Sequence, residues 1–89
     1  MSQRFLDVQV SREGRYALGR DTETGAWFLS IPVANNMVDY EEYYRLDGDE
    51  YDRYRADSVA ALAFADACRA HIYDDRLILK PGTDRGVAV

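Results

Sequence analysis

The chain has one cysteine, one histidine, one tryptophan and two prolines among its 89 residues, and these scarcities close off several classes of function. A lone Cys68 cannot form an internal disulfide, so the sequence points to a reducing, cytoplasmic setting. Cys68 and His71 lie three positions apart near the end of one expected helix, whereas a transition-metal site needs roughly three or four convergent ligands. Core packing of Cys68 and a capping role for His71 account for that pair, and no metal is expected. The six glycines are scattered at expected turns and in the tail, so no loop cradles a phosphate and no cofactor is implied. The longest uncharged stretch, residues 24–38, has fifteen residues and is broken by Gly25 and Pro32, where a membrane helix needs about 20. Residues 1–4 lead into an alternating pattern and not into a signal-peptide apolar region.

A concentrated basic segment is missing as well. The formal net charge is −5, which disfavours direct nucleic-acid binding, because phosphate contacts need a basic surface. Arg12, Arg15 and Arg20 form at most a small patch around the first hairpin, and such arginines usually solubilise strand edges. Asp47-Gly48-Asp49-Glu50-Tyr51-Asp52 superficially suggests a calcium loop, but its glycine and ligand spacing are wrong and helix capping explains the same residues. Paired carboxylates are the one catalytic device left open, and a chain this short has little material for a pocket once its core is built. The expectation is a protein without enzymatic activity.

What the sequence has in abundance is acid and tyrosine in one place. Residues 39–57 carry eight acids and three arginines, which accounts for the whole net charge, together with five of the seven tyrosines. One reading is a solvated acidic face whose tyrosine rings cover the edge of the core. The sharper reading is a recognition surface, since tyrosine buries a large rigid ring while keeping a hydrogen bond, and acids around it steer a basic partner.

Alternation and turn residues predict an α+β fold, with a four- to five-stranded, mostly antiparallel sheet and two helices packed on one face, in a single domain over residues 1–89. The first strand, residues 5–10, places Leu6, Val8 and Val10 on one half-buried side. After a turn at residues 11–14, residues 16–20 and 26–33 form a hairpin around the polar loop 21–25. Trp27, Leu29 and Ile31 share a face and Phe28 takes the other, while Pro32 marks an edge or bulge. Asn35-Asn36 supplies a turn into a fourth strand, where Val38, Tyr40, Glu42, Tyr44 and Leu46 share a parity. Glu42 interrupts that apolar face, which implies partial cover or a partner such as Arg20 or Arg15. Asp47 with Glu50 makes a capping box and Leu46 with Tyr51 a hydrophobic staple, which starts a helix over residues 48–55. A cap at Asp57 or Ser58 opens a second helix over residues 59–71, with Ala61, Phe64, Ala65, Cys68 and Ile72 inward. A short strand over residues 76–80 ends at Pro81-Gly82.

An acidic α+β domain of this length, with the tyrosine-rich stretch Tyr40-Glu41-Glu42-Tyr43-Tyr44 and no catalytic motif, resembles the small immunity proteins encoded beside bacterial polymorphic or contact-dependent toxins. The resemblance implies a cytoplasmic inhibitor that binds a cognate toxin with a basic surface, often a nuclease, and blocks its substrate. From charge and tyrosine distribution alone, the candidate partner-binding residues are Glu41, Glu42, Tyr43, Asp49, Glu50, Asp52 and Tyr54. The alternative is a structural or regulatory homodimer that pairs through an edge strand or through Trp27, Phe28 or Met37.

Overall fold

The structure is a computed structural model and describes residues 3–34, 39–79 and 86–88. Alternating apolar residues build strands β1 (Phe5–Ser11), β2 (Tyr16–Asp21), β3 (Trp27–Ala34) and β4 (Asp39–Leu46), followed by helices α1 (Gly48–Ala56) and α2 (Ser58–Arg69), a 3₁₀ turn at Asp74–Arg76 and a two-residue β5 (Val87–Ala88). The sheet runs in the order β1-β2-β3-β4, every pair antiparallel, and β5 adds to β3 beyond the end of β2. This is the expected α+β arrangement. The strand expected at 76–80 is replaced by the 3₁₀ turn and one isolated bridge between Leu77 and Tyr44. The turn expected at Asn35-Asn36, the contributions of Met37 and Val38, and the stop at Pro81-Gly82 lie outside the described residues.

Both helices start where their capping residues dictate. Asp47 accepts from the Glu50 N–H at 2.8 Å and the Glu50 side chain accepts from the Asp47 N–H at 3.1 Å, a complete capping box. Asp57 caps α2 by accepting from the N–H groups of Val59 and Ala60. Such caps each contribute about 1 kcal/mol by satisfying otherwise orphaned donors. The second helix ends two residues earlier than expected, because His71 adopts a left-handed φ of 64°. Its N–H donates to the Cys68 carbonyl and that of Ile72 to the Ala67 carbonyl, a Schellman closure. Ile72 therefore falls beyond the helix and is exposed instead of inward.

The helices pack on the sheet face bearing Trp27, Leu29, Ile31, Val33, Tyr40, Glu42, Tyr44 and Leu46, all brought into line by the β3–β4 register. Against it they place Tyr51, Tyr54, Ala61, Phe64, Ala65 and Cys68. Trp27 stacks on Tyr51 at 4.1 Å between ring centroids, and Phe64 lies between Tyr54 and Tyr73 at 5.2 and 4.7 Å.

The first strand departs from simple alternation. A bulge between Asp7 and Gln9 shifts its pairing, so that Leu6 sits opposite Arg20 and Val10 opposite Ala17. One extra residue reverses the parity of everything after it. Leu6 and Val10 therefore face opposite sides, and Leu6, Val8 and Val10 remain 46%, 54% and 61% exposed instead of forming a half-buried face. The bulge also lets the strand curl. Phe5 on β1 stacks on Tyr43 of β4 with centroids 3.8 Å apart, although in a flat sheet first and fourth strands lie about 14 Å apart. Gly19 permits this closure, because a Cβ there would collide with the Leu6 carbonyl oxygen and lie 2.6 Å from Phe28 Cζ.

Candidate binding surface

The candidate residues do not form one surface. Tyr54 is 9% exposed and packs on Phe64, so it is core and not the presented ring expected from its position. Glu42 is 6% exposed and faces the helices. The Tyr44 hydroxyl donates to Glu42 Oε1 at 2.9 Å and lies 3.3 Å from the Cys68 carbonyl oxygen. This buried phenol stands where Arg20 or Arg15 was expected. Glu50 closes the capping box and receives Arg76 at 2.8 and 2.9 Å, which ties α1 to the 3₁₀ turn. Asp49 and Asp52 are exposed on α1 and, among the described residues, have no ion pair. Glu41 and Tyr43 alone share a site, on the sheet face opposite the helices.

The tyrosine cluster is thus largely structural. Tyr44, Tyr51 and Tyr54 are buried, and Tyr40 packs against the core with its hydroxyl oxygen accepting from the Gly86 N–H at 2.7 Å. Phe28, expected as an exposed self-association contact, is 0% exposed. It is enclosed on the helix-free face by Phe5 and Tyr43, which meet it edge-on at 5.6 and 4.9 Å.

That helix-free face is concave and changes character along its length. At one end, buried Asp21 accepts from Arg4 Nε at 3.1 Å, Arg4 Nη2 at 3.2 Å, the Glu23 N–H at 3.0 Å and the Thr24 hydroxyl at 2.8 Å. The Arg4 contact foremost, with Thr24 and Glu23 assisting, holds the Asp21 carboxyl down to about 2. The middle is the Phe5–Phe28–Tyr43 cluster. Burial, with the nearby charges of Glu41 and Asp7, pushes the Tyr43 hydroxyl up to about 12.

The other end stays open as a groove of about 350 Å³, lined by Asp7, Val10, Arg12, Arg15, Ala17, Pro32 and Glu41, with Ser11 and Tyr16 at its margin. This volume falls at the small end of ligand-binding clefts. Asp7 from β1 and Glu41 from β4 approach Tyr43 from opposite walls, and Glu41 accepts from the Ser30 and Tyr43 hydroxyls at 3.4 and 3.3 Å. Partial desolvation raises the Asp7 carboxyl above its ordinary value. Arg12 and Arg15 flank the groove from the β1–β2 turn. Among the described residues, none of these four charged groups has an ion pair.

Arg15 holds φ at 53°, a left-handed conformation that favours glycine over a residue with a Cβ. The turn is held from behind by Arg69 of α2, whose Nη2 donates to the carbonyls of Gly14 and Arg15 while Nη1 pairs with Asp66 at 2.8 Å. The sequence suggested Arg12 and Arg15 as part of a small basic patch or as solubilising strand-edge residues, and Arg15 also as a partner for Glu42, and it did not single out Asp7. The signal available was Gly14-Arg15, with the glycine one position before the left-handed residue.

A second depression, about 390 Å³ and lined by Arg45, Asp47, Glu50, Asp75, Arg76 and Leu77, has its central charges spent on the Glu50–Arg76 pair. Cys68 is buried, which pushes its thiol up to about 12 and keeps it protonated at neutral pH. Among the described residues, no group of three His, Cys, Asp or Glu is placed to hold a metal ion, and no helix is long and apolar enough to cross a membrane. No protein-family model, curated protein or solved structure matches this chain.

Proposed function

We propose that this protein is a non-catalytic binding module that seats a segment of a partner protein on the concave sheet face and, in keeping with the resemblance to immunity proteins, neutralises a cognate toxin by doing so. The observation that carries this reading is the open groove beside Glu41 and Tyr43, on the one sheet face that the helices leave uncovered. Its acids suit a basic side chain of the partner, while Asp49 and Asp52 lie on α1 over the opposite sheet face. The thiol is unsuited to nucleophilic chemistry, which favours binding over catalysis.

The test is affinity capture of partners by the tagged protein at low and high salt, in parallel with a Glu41→Arg variant. A stoichiometric basic partner that the variant fails to retain is the expected result. Retention of the same partner by Glu41→Arg, or no partner at either salt, overturns it. A self-associating subunit is a second reading, favoured by the exposed Leu6, Val8 and Val10 on the free edge of β1. The bulge in that strand opposes edge pairing, and a monomer mass independent of concentration would dismiss it.

A further inference from the structure

Resting on the binding-module reading, we infer that the groove takes an extended internal segment of a partner protein in which a Lys or Arg side chain reaches Asp7 and Glu41 while a Glu or Asp two positions away meets Arg12 and Arg15. The groove is dipolar. Asp7 on β1 stands at its inner end, Glu41 on β4 reaches in beside Tyr43 from the far wall, and Arg12 and Arg15 stand on the β1–β2 turn at its outer end. Val10, Ala17 and Pro32 supply its apolar floor. In an extended chain, alternate residues point the same way and sit about 6.6–7 Å apart, so one strand presents a cation and an anion to the two ends. The outer end is open, and a bound segment continues past the arginines instead of terminating there.

The turn itself supports this assignment. A non-glycine residue in the left-handed region persists only where the surroundings hold it, and such residues concentrate at binding sites. Here Arg69 braces both turn carbonyls from α2, so the scaffold sustains a conformation that glycine would take without penalty while keeping the Arg15 side chain at the groove. The raised Asp7 carboxyl fits a partly desolvated wall that gains from a cationic visitor.

The probe is an acetylated, amidated pentapeptide with Lys and Glu two positions apart, titrated into the isotopically labelled full chain and followed by amide chemical shifts. The expected result is perturbation at Asp7, Val10, Ala17 and Glu41, with affinity about tenfold or more above peptides carrying Gln in place of either charge, since each charge-assisted contact counts. The double variant Arg12→Glu with Arg15→Glu should lose this peptide and recover binding to one carrying Lys at both positions. Arg15→Gly separates recognition from folding: relief of the left-handed strain should raise Tm by about 4 °C or more, while peptide affinity falls. Equal affinity for the uncharged controls, shifts confined to other surfaces, or unchanged binding by both arginine variants overturns the inference. So does a concentration-dependent dimer that excludes the peptide, which would make a second copy the occupant. If a partner is captured and lost on Glu41→Arg while the peptide fails, this inference falls and the broader reading stands. If capture is indifferent to Glu41, the broader reading falls whatever the peptide does.

Discussion

The helix-covered face of the sheet is sealed by residues from elsewhere in the chain, with Tyr51, Tyr54, Phe64 and Cys68 laid over Leu29, Ile31 and Tyr44. Among the described residues, the opposite face is sealed in its middle by its own strands: β1 curls until Phe5 meets Tyr43 over Phe28. At the margin of the first arrangement lies a depression whose central charges are spent on the Glu50–Arg76 pair. The second stops short of the hairpin end and leaves a groove with four charged side chains around it. A face closed by curling is thus a place where burial and binding coexist, because the same bend that stabilises the aromatic cluster shapes the open end.

The largest expected effect tests whether the curled face is a real core. Phe28→Ala should destabilise by about 3–5 kcal/mol, matching or exceeding the about 2–5 kcal/mol expected for Leu29→Ala on the covered face, measured by urea unfolding. A loss under about 1 kcal/mol for Phe28→Ala would make the helix-free face a solvated surface.

A smaller effect concerns the knot that ties the other end of the same face. Asp21→Asn should cost about 1–3 kcal/mol, because it leaves Arg4 only the exposed Glu23 carboxylate and weakens the bonds from Thr24 and the Glu23 N–H. The wild-type Asp21 carboxyl is held down to about 2 by Arg4, against an ordinary value of about 3.9. A depressed acid contributes its full stabilisation above the unfolded value and loses it as pH falls through the folded one. Wild-type stability should therefore decline between about pH 5 and pH 2, and the Asn variant should lack that share of the decline. Parallel curves for the two proteins would remove Asp21 as the cause.

The smallest effect separates steering from structure. Asp49→Lys with Asp52→Lys should destabilise by about 1 kcal/mol or less, since both side chains are exposed and unpaired among the described residues and the cost is that of a cation at the first turn of α1. Association of a basic partner with the groove should be unchanged in stopped-flow or biosensor kinetics, because α1 lies over the opposite face of the sheet and salt screens charges beyond about 8 Å. A slowed on-rate would place the docking field on α1.

Much of the architecture was legible because its causes are local. Asp47 with Glu50 and Asp57 before Val59 mark helix starts through bonds that span two or three residues. The alternation of Trp27, Leu29, Ile31 and Val33 gives the buried parity of β3 directly. Misreadings arose where a distant event decided the outcome. Tyr54 looked presentable within a polar stretch, yet the docking of α2 buries it, and Glu42, which shares the inward parity of β4, is covered by the helices and bonded by the Tyr44 hydroxyl. The bulge at Asp7–Gln9 cancels the apparent one-sidedness of Leu6, Val8 and Val10. The end of α2 depends on a left-handed histidine, a residue type not usually chosen for that position.

By itself, then, the sequence determined the strands, the helix starts and the absence of familiar catalytic motifs, since periodicity, capping and ligand counting act within a few residues. Only the tertiary structure decided that the acidic, tyrosine-rich stretch divides between core and surface. Only it brought Asp7 and Glu41, thirty-four positions apart in sequence, to opposite walls of one groove facing Arg12 and Arg15. The physical reason is that the curl of a sheet is set by a bulge, a missing Cβ at Gly19 and the contacts of rings from its outer strands, and these act together only once the chain has closed.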